Sequence, residues 1–264
     1  MPTNLRPVPD PAPDATPAPD ATPAPAPVTG RPAGRRRGFL VAVDGPSGSG
    51  KSTLARAVAS ATGLAYLDTG AMYRAVTWAA RDRGLDLADT DAVAALTRDL
   101  DVDIATDPAL SRVRVDGVDV TEAIRAPQLS AVVSAVATNL AVRAELVARQ
   151  RDVAERGDVV LEGRDTTTVV APDADVRVLL TADEATRLAR RAREVRGGDD
   201  PEALAATHAE VVARDARDAT VAQFTTAADG VAVVDSSDHT VAEVLAIVLA
   251  LVERAGRPVG QGSR

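Results

Sequence analysis

Lys51 and Ser52 sit near the end of the run Gly45 to Thr53, GPSGSGKST, and its spacing G-x-x-x-x-G-K-S belongs to a loop that holds phosphate. Gly45, Gly48 and Gly50 admit backbone conformations that a Cβ forbids, so successive N–H groups can turn inward onto phosphate oxygens. Pro46, Ser47 and Ser49 fill the loop between them, and Thr53 follows it. Lys51 is placed to reach the β- and γ-phosphates, and the Ser52 hydroxyl to ligate Mg²⁺. The dinucleotide spacing G-x-G-x-x-G does not occur here. Other candidates for handling phosphate are arginines. Arg74 follows Tyr73 in DTGAMYR, and Arg164 lies in Glu162-Gly163-Arg164-Asp165. Arg187, Arg190, Arg191 and Arg193 share one segment, and Arg214, Arg217 and Asp218 another. Each has a bland reading beside the functional one: a capped helix with a surface Arg, a self-paired loop, a solvated basic face.

Elements must bring these residues together. Phe39 to Val43 is a short apolar run suited to a strand covered on both faces. Leu54, Ala57, Val58 and Ala61 then keep helical spacing, which aims a helix N-terminus at the same anion. Leu64 to Leu67 reads as a second strand, Asp68 or Thr69 as an N-cap, and Ala71 to Arg83 as a helix. Asp89 to Leu100 reads as another helix. Val102 to Ala105, Arg112 to Val115 and Val118 to Val120 alternate apolar and polar around an Asp116-Gly117 turn, a small antiparallel patch. Helices are expected around Ala126 to Ala137 and Ala141 to Arg156, with Gly157 as a stop. Asp158 to Leu161 and Val176 to Leu180 are strands. Asp183 to Val195 is a helix with Arg187, Arg190 and Arg191 on one face, ahead of a Gly197-Gly198 hinge. A helix from Asp200-Pro201 to about Ala219, a strand Val231 to Val234 and a helix Thr240 to Arg254 follow, and the end from Gly256 is expected to fray. The sum is an α/β fold of three layers on a central parallel sheet. It has one kinase-type domain over 38–255, an insert at about 101–140 and a short helical lid at about 187–200.

Composition narrows the classes. The 264 residues carry a formal charge of −8, against the basic face that nucleic-acid binding needs. There is no Cys, which excludes disulfides, thiolate nucleophiles and Cys-bound zinc. His208 and His239 are far apart in sequence, so a His-based metal site is not expected. No apolar run reaches membrane-spanning length, and the start is Pro- and Asp-rich rather than a signal sequence, so the expected location is the cytoplasm. Residues 1–37 repeat PAPDAT, end in Arg31 and Arg35 to Arg37, and read as a disordered, solubilising tail or an electrostatic tether.

Three stretches in order resemble the bacterial cytidylate kinases, P-loop nucleoside-monophosphate kinases, over about residues 39–250: GPSGSGKST, YLDTGAMYRA, and Gly163-Arg164-Asp165 followed by TVVAPDADV. The resemblance implies transfer of phosphate from ATP, with Mg²⁺, to CMP or dCMP by a monomer. It implies a monophosphate-binding role for the insert. Thr69, Tyr73 and Arg74 would hold the acceptor, Ser134 and Asp165 its base or sugar, and Arg143 its phosphate or base. Arg164 would lie beside the phosphates, and Arg214 with Asp218 would form the opposite wall. Lys51, Arg164, Arg187 and Arg191 would neutralise charge in transfer.

Three departures stand out. Thr166-Thr167-Thr168 replaces a Met-Gly-Thr, Val221 stands where the family pattern R-D-x-x-D-x-x-R ends in Arg, and Phe224-Thr225-Thr226 replaces a Pro-Leu region. They motivate two alternatives: a nucleotide-binding paralogue with weak or no transfer, and a kinase of another small phosphorylated acceptor.

Overall fold

The computed structural model describes residues 38–259, so the tail expected over 1–37 and the last residues from 260 lie outside the described residues. Five strands form one parallel sheet in the order β2-β6-β1-β7-β8. They are β1 (Leu40–Asp44), β2 (Ala65–Asp68), β6 (Val159–Gly163), β7 (Val176–Thr181) and β8 (Ala232–Asp235). A separate antiparallel sheet, β3 (Val102–Ile104), β4 (Val113–Val115) and β5 (Val118–Asp119), forms the insert.

β1 is buried at every position, as its apolar run requires. Alternate residues face different layers. Leu40 packs with α2 (Thr69–Asp82), α3 (Thr90–Asp99) and α6 (Leu140–Arg156), whereas Val41 and Val43 pack with α1 (Lys51–Thr62) and α9 (Val241–Arg254). With aromatics at 2% of the chain, Val, Leu and Ala fill both layers. The register carries the consequence for chemistry. Asp44 lies opposite Gly163, and Asp68 opposite Glu162, so three strands end together at one carboxyl rim. Crevices at such a rim are where parallel sheets bind ligands.

Helix starts follow local chemistry. Asp68 rather than Thr69 caps α2, accepting from the Ala71 N–H at 2.8 Å, and Asn139 caps α6. Asp200, with Pro201 in the first turn, starts α8 (Pro201–Asp218), and Gly197 in a left-handed conformation ends α7 (Glu184–Arg196). Thr240 and Glu243 form a reciprocal capping box on α9.

Three local expectations change. The helix expected at about Ala126 to Ala137 is two short ones, α4 (Pro127–Ser130) and α5 (Val133–Ala137). At Val132 the N–H bonds back three residues to Leu129, and φ of −113° leaves the helical range. After Asp165 the chain makes a wide π-type turn over Thr166–Val170. Here Thr166 and Thr167 each donate a backbone N–H and a hydroxyl to the buried Asp44 carboxylate, at 2.7–2.9 Å. The two hydroxyl bonds are what Thr166 and Thr167 in particular add, helping to satisfy a carboxylate that burial would otherwise make costly. Finally, Arg257 donates to Asp158 at 2.7 Å and to the Thr62 carbonyl at 3.2 Å, and Val259 packs on the α9 side of the core. Over 256–259 the chain is therefore anchored where fraying was expected.

Candidate active site

The loop after β1 is closed by contacts that only glycine permits. Gly48 has φ of +77°, and a Cβ there would meet the Arg187 carbonyl oxygen at 2.3 Å. Helix α7 therefore rests directly on the loop. Gly50, at φ 88°, opens α1, so the free N–H groups of its first turn point into the space above the rim. Among the described residues the Lys51 ammonium donates to the Pro46 carbonyl alone, at 3.3 Å. Burial strips water from that ammonium and lowers its pKa, which leaves it seeking an anion.

Ser52 Oγ donates to Glu162 Oε1 at 2.7 Å, and the Tyr66 hydroxyl donates to the same oxygen at 3.3 Å. Burial, reinforced by the Asp68 carboxylate across the rim, pushes Glu162 up to about 7. Asp68 goes the other way. Burial opposes its charge, but Arg74 at 2.7 Å and the Ala71 N–H outweigh burial and hold its pKa low. A cation beside Ser52 would relieve the crowding of these two carboxylates, so the donor set suits a hard divalent ion with oxygen ligands.

Facing the loop is a wall of arginines, each set against a carboxylate. Arg143 pairs with Asp165 in a bond to its Oδ2. Arg164 Nη2 donates to Ser47 Oγ at 2.8 Å, its Nε lies 2.9 Å from Asp218, and its Nη1 lies 2.9 Å from Asp215. Its guanidinium also stacks on the fully buried Phe224 ring, 4.3 Å from the centroid. Arg214 is the least satisfied: its Nε is buried without a hydrogen-bond partner, 3.6 Å from Asp218. Burial, then the nearby Arg164 charge, lowers it to about 10. Such a guanidinium fits a site that receives an anion.

One cavity of about 490 Å³ joins both walls. Ser47, Gly48, Gly50, Lys51, Ser52 and Thr53 line it on the loop side. Thr69, Tyr73, Arg74, Arg143, Arg164, Asp165, Arg191, Arg214 and Asp218 line it on the other sides. Tyr73, whose hydroxyl is buried without a hydrogen-bond partner, is pushed up to about 12 by burial. Other expected site residues stand elsewhere. Ser134 is buried and donates to Asp218 at 2.8 Å, so it supports the wall rather than lining the cavity. Arg187 donates to the Ser47 carbonyl and to Asp215, both at 3.0 Å, and faces the back of the loop. Gly45, Pro46 and Ser49 also lie behind the lining. Of the expected lid face, Arg190 turns to Ser236, and Arg191 alone lines the cavity, paired with Glu194.

Sequence reasoning passed over Asp215, Asp68 and Phe224 as site residues. Asp68 carried only a capping signal, and Asp215 only its place in Arg214-Asp215-Ala216-Arg217-Asp218. Phe224 carried none, because its role depends on which guanidinium folds over it.

Residues 41–254 match the profile of the cytidylate kinase family. The chain belongs to that family. It is 49% identical to the cytidylate kinase of Cutibacterium acnes over 217 residues, 81% of this chain and 96% of that one. It is 47% identical to the cytidylate kinase of Rhodococcus opacus over 231 residues, covering 84% and 98%. A bifunctional pantoate ligase/cytidylate kinase of a Synechococcus strain is 50% identical over 187 residues, which is 70% of this chain and 38% of that larger protein. Within the cytidylate kinase family, the departure at Val221 falls on the cavity itself: Val221 and Ala222 line it beside Asp218. Among the described residues no single helix is long and apolar enough to cross a membrane.

Proposed function

We propose that the chain transfers the γ-phosphoryl group of ATP to CMP or dCMP, giving ADP and CDP or dCDP. The observation that carries this is the single cavity with a P-loop, Lys51 and Ser52 on one wall and Arg74, Arg143, Arg164 and Arg214 on the other. A site for ATP alone has no use for that second set. Membership of the cytidylate kinase family supports the cytidine acceptor.

The acceptor oxygen belongs to a phosphate that is largely dianionic near neutral pH, so no side chain need remove a proton from it. It attacks the γ-phosphorus in line, and the bond to the β,γ-bridging oxygen breaks with its electron pair leaving on ADP. Lys51 and the loop N–H groups hold the donor's β- and γ-oxygens. Arg74, Arg164 and Arg214 hold the acceptor phosphate, and Arg164 and Arg191 offset charge on the group in flight. Ser52 would hold Mg²⁺ directly and Glu162 and Asp68 its outer shell, and the ion would supply charge neutralisation to the donor phosphates. Tyr73, Arg143 and Asp165 are assigned to the sugar and base.

A coupled ADP-release assay with CMP, dCMP, UMP, AMP and GMP tests the reading. CMP- or dCMP-dependent turnover well above the others is the expected result, and folded protein with none overturns it. The idea of a paralogue without transfer is not favoured, because the loop, Lys51 and the arginine wall are all retained around the cavity.

A further inference from the structure

Asp215 touches three parts of the molecule: the corner after β6, the P-loop and α7. Its Oδ1 lies 2.9 Å from Arg164 Nη1 and 3.4 Å from the Ser47 N–H, and its Oδ2 accepts from Arg187 Nη1 at 3.0 Å. Ser47 is gripped from every polar side. Its N–H faces Asp215, its carbonyl accepts from Arg187 and its hydroxyl from Arg164. Burial should raise the Asp215 pKa, yet Arg164, Ser47 and Arg187 together hold it below the usual carboxylate range. The carboxylate does not line the cavity.

We propose that Asp215 is a positioning residue for phosphoryl transfer, acting through Arg164. This rests on the kinase reading above. The guanidinium of Arg164 is planar, and a rotation of a few tens of degrees would swing its cavity-facing N–H groups off the phosphate. Three fixed points define its plane: Asp215 at one terminal nitrogen, Asp218 at Nε and the Phe224 ring beneath. Asp218 and Phe224 hold Arg164 within the acceptor wall. Arg164 meets the P-loop through its own bond to the Ser47 hydroxyl, and Asp215 adds a second tie through the Ser47 N–H and Arg187, so the two together fix the separation between the acceptor-side arginine and the donor phosphates. It also neutralises Arg187, which explains why that arginine supports the loop rather than competing for phosphate. The helix that carries the acceptor contacts Arg214 and Asp218 thus sets the geometry of the donor loop as well.

The test is a double-mutant cycle of Asp215→Asn with Arg164→Ala, read as single-turnover rate, CMP KM and nucleotide-free melting temperature. Asp215→Asn keeps shape and one acceptor but loses the charge. It is expected to lower kcat about 10- to 100-fold, through loss of the 2.9 Å ion pair to Arg164. The CMP KM should move far less, and Asp215→Glu should recover part of the rate. In the Arg164→Ala background the same substitution should change kcat little. Full additivity would overturn the proposal, because a residue that merely stabilises the fold acts whether or not Arg164 is present. So would loss of kcat matched by an equal rise in CMP KM. Should Asp215→Asn fail to fold, Asp215→Glu in both backgrounds gives the same cycle. Wild-type protein without CMP or dCMP turnover would sink the kinase reading itself, which is a distinct result.

Discussion

The two walls of the cavity solve the same problem, holding phosphate, in different ways. The donor wall is backbone: a glycine-bearing loop and the first turn of α1, with one ammonium that has no carboxylate hydrogen-bonded to it. The acceptor wall is side chain, and its guanidiniums rest on carboxylates, Arg74 on Asp68, Arg143 on Asp165, Arg164 on Asp215 and Asp218. Backbone dipoles are fixed by the fold and carry no net charge, so they can converge with far less mutual repulsion than full charges. Guanidiniums repel one another, and the carboxylates keep them apart and aimed until an anion arrives. Preorganisation costs nothing extra on the first wall and requires partners on the second.

The difference can be broken at either wall. The largest effect is expected at the donor side. Lys51→Ala removes the one donor-side charge without a carboxylate partner and should lower kcat about 100- to 1,000-fold. The ADP-release assay reads it, and a variant with near wild-type turnover would show that backbone alone suffices there. Arg74→Ala comes next. It should raise the CMP KM about 10- to 100-fold with the ATP KM essentially unchanged. Equal rises in both constants would mean the walls are not separable. Thr167→Val probes the frame beneath them, by taking a hydroxyl from the buried Asp44 carboxylate. A stability loss of about 1–3 kcal/mol is expected in a denaturant titration, with the CMP KM preserved in the folded fraction.

The remaining test is a pH slope. Glu162 stands near 7 in the nucleotide-free fold against an ordinary 4.5, so between those values the folded chain binds more protons than the unfolded one. Stability without metal or nucleotide should therefore fall as pH rises from about 4.5 through about 7, and this contribution should be flat above. Melting scans in chelator check it, and Glu162→Gln should flatten that part of the slope. Saturating Mg²⁺ and ATP should also flatten it, since a cation beside Ser52 favours the carboxylate form.

How much was legible follows the same divide. The strands, the P-loop and the helix starts at Asp68 and Asp200 depend on residues within a few positions of each other, and their spacing reads directly. Arg187 and Ser134 show the limit. Both were expected in the cavity, and both lie one layer behind it, on Ser47 and Asp218. Helical spacing gave Arg187, Arg190 and Arg191 a shared face, but a long side chain chooses its partner over several ångströms. Asp215 claims the first, Ser236 the second, and the third alone lines the cavity. The π-turn at Thr166–Val170 was hidden for a related reason, because its hydroxyls answer a carboxylate on β1, 122 residues earlier.

By itself the chain's order of residues determined the phosphate loop, the parallel sheet, the antiparallel insert and the kind of anion the arginines would meet. Periodicity and turn chemistry are local, and each is set by neighbours a few residues away. The folded arrangement alone decided which arginines line the cavity, which brace the loop behind it, and that Asp215 ties the two walls together. Those outcomes depend on carboxylates brought within about 3 Å from remote segments, and pairing at that range is fixed by register and packing rather than by spacing along the chain.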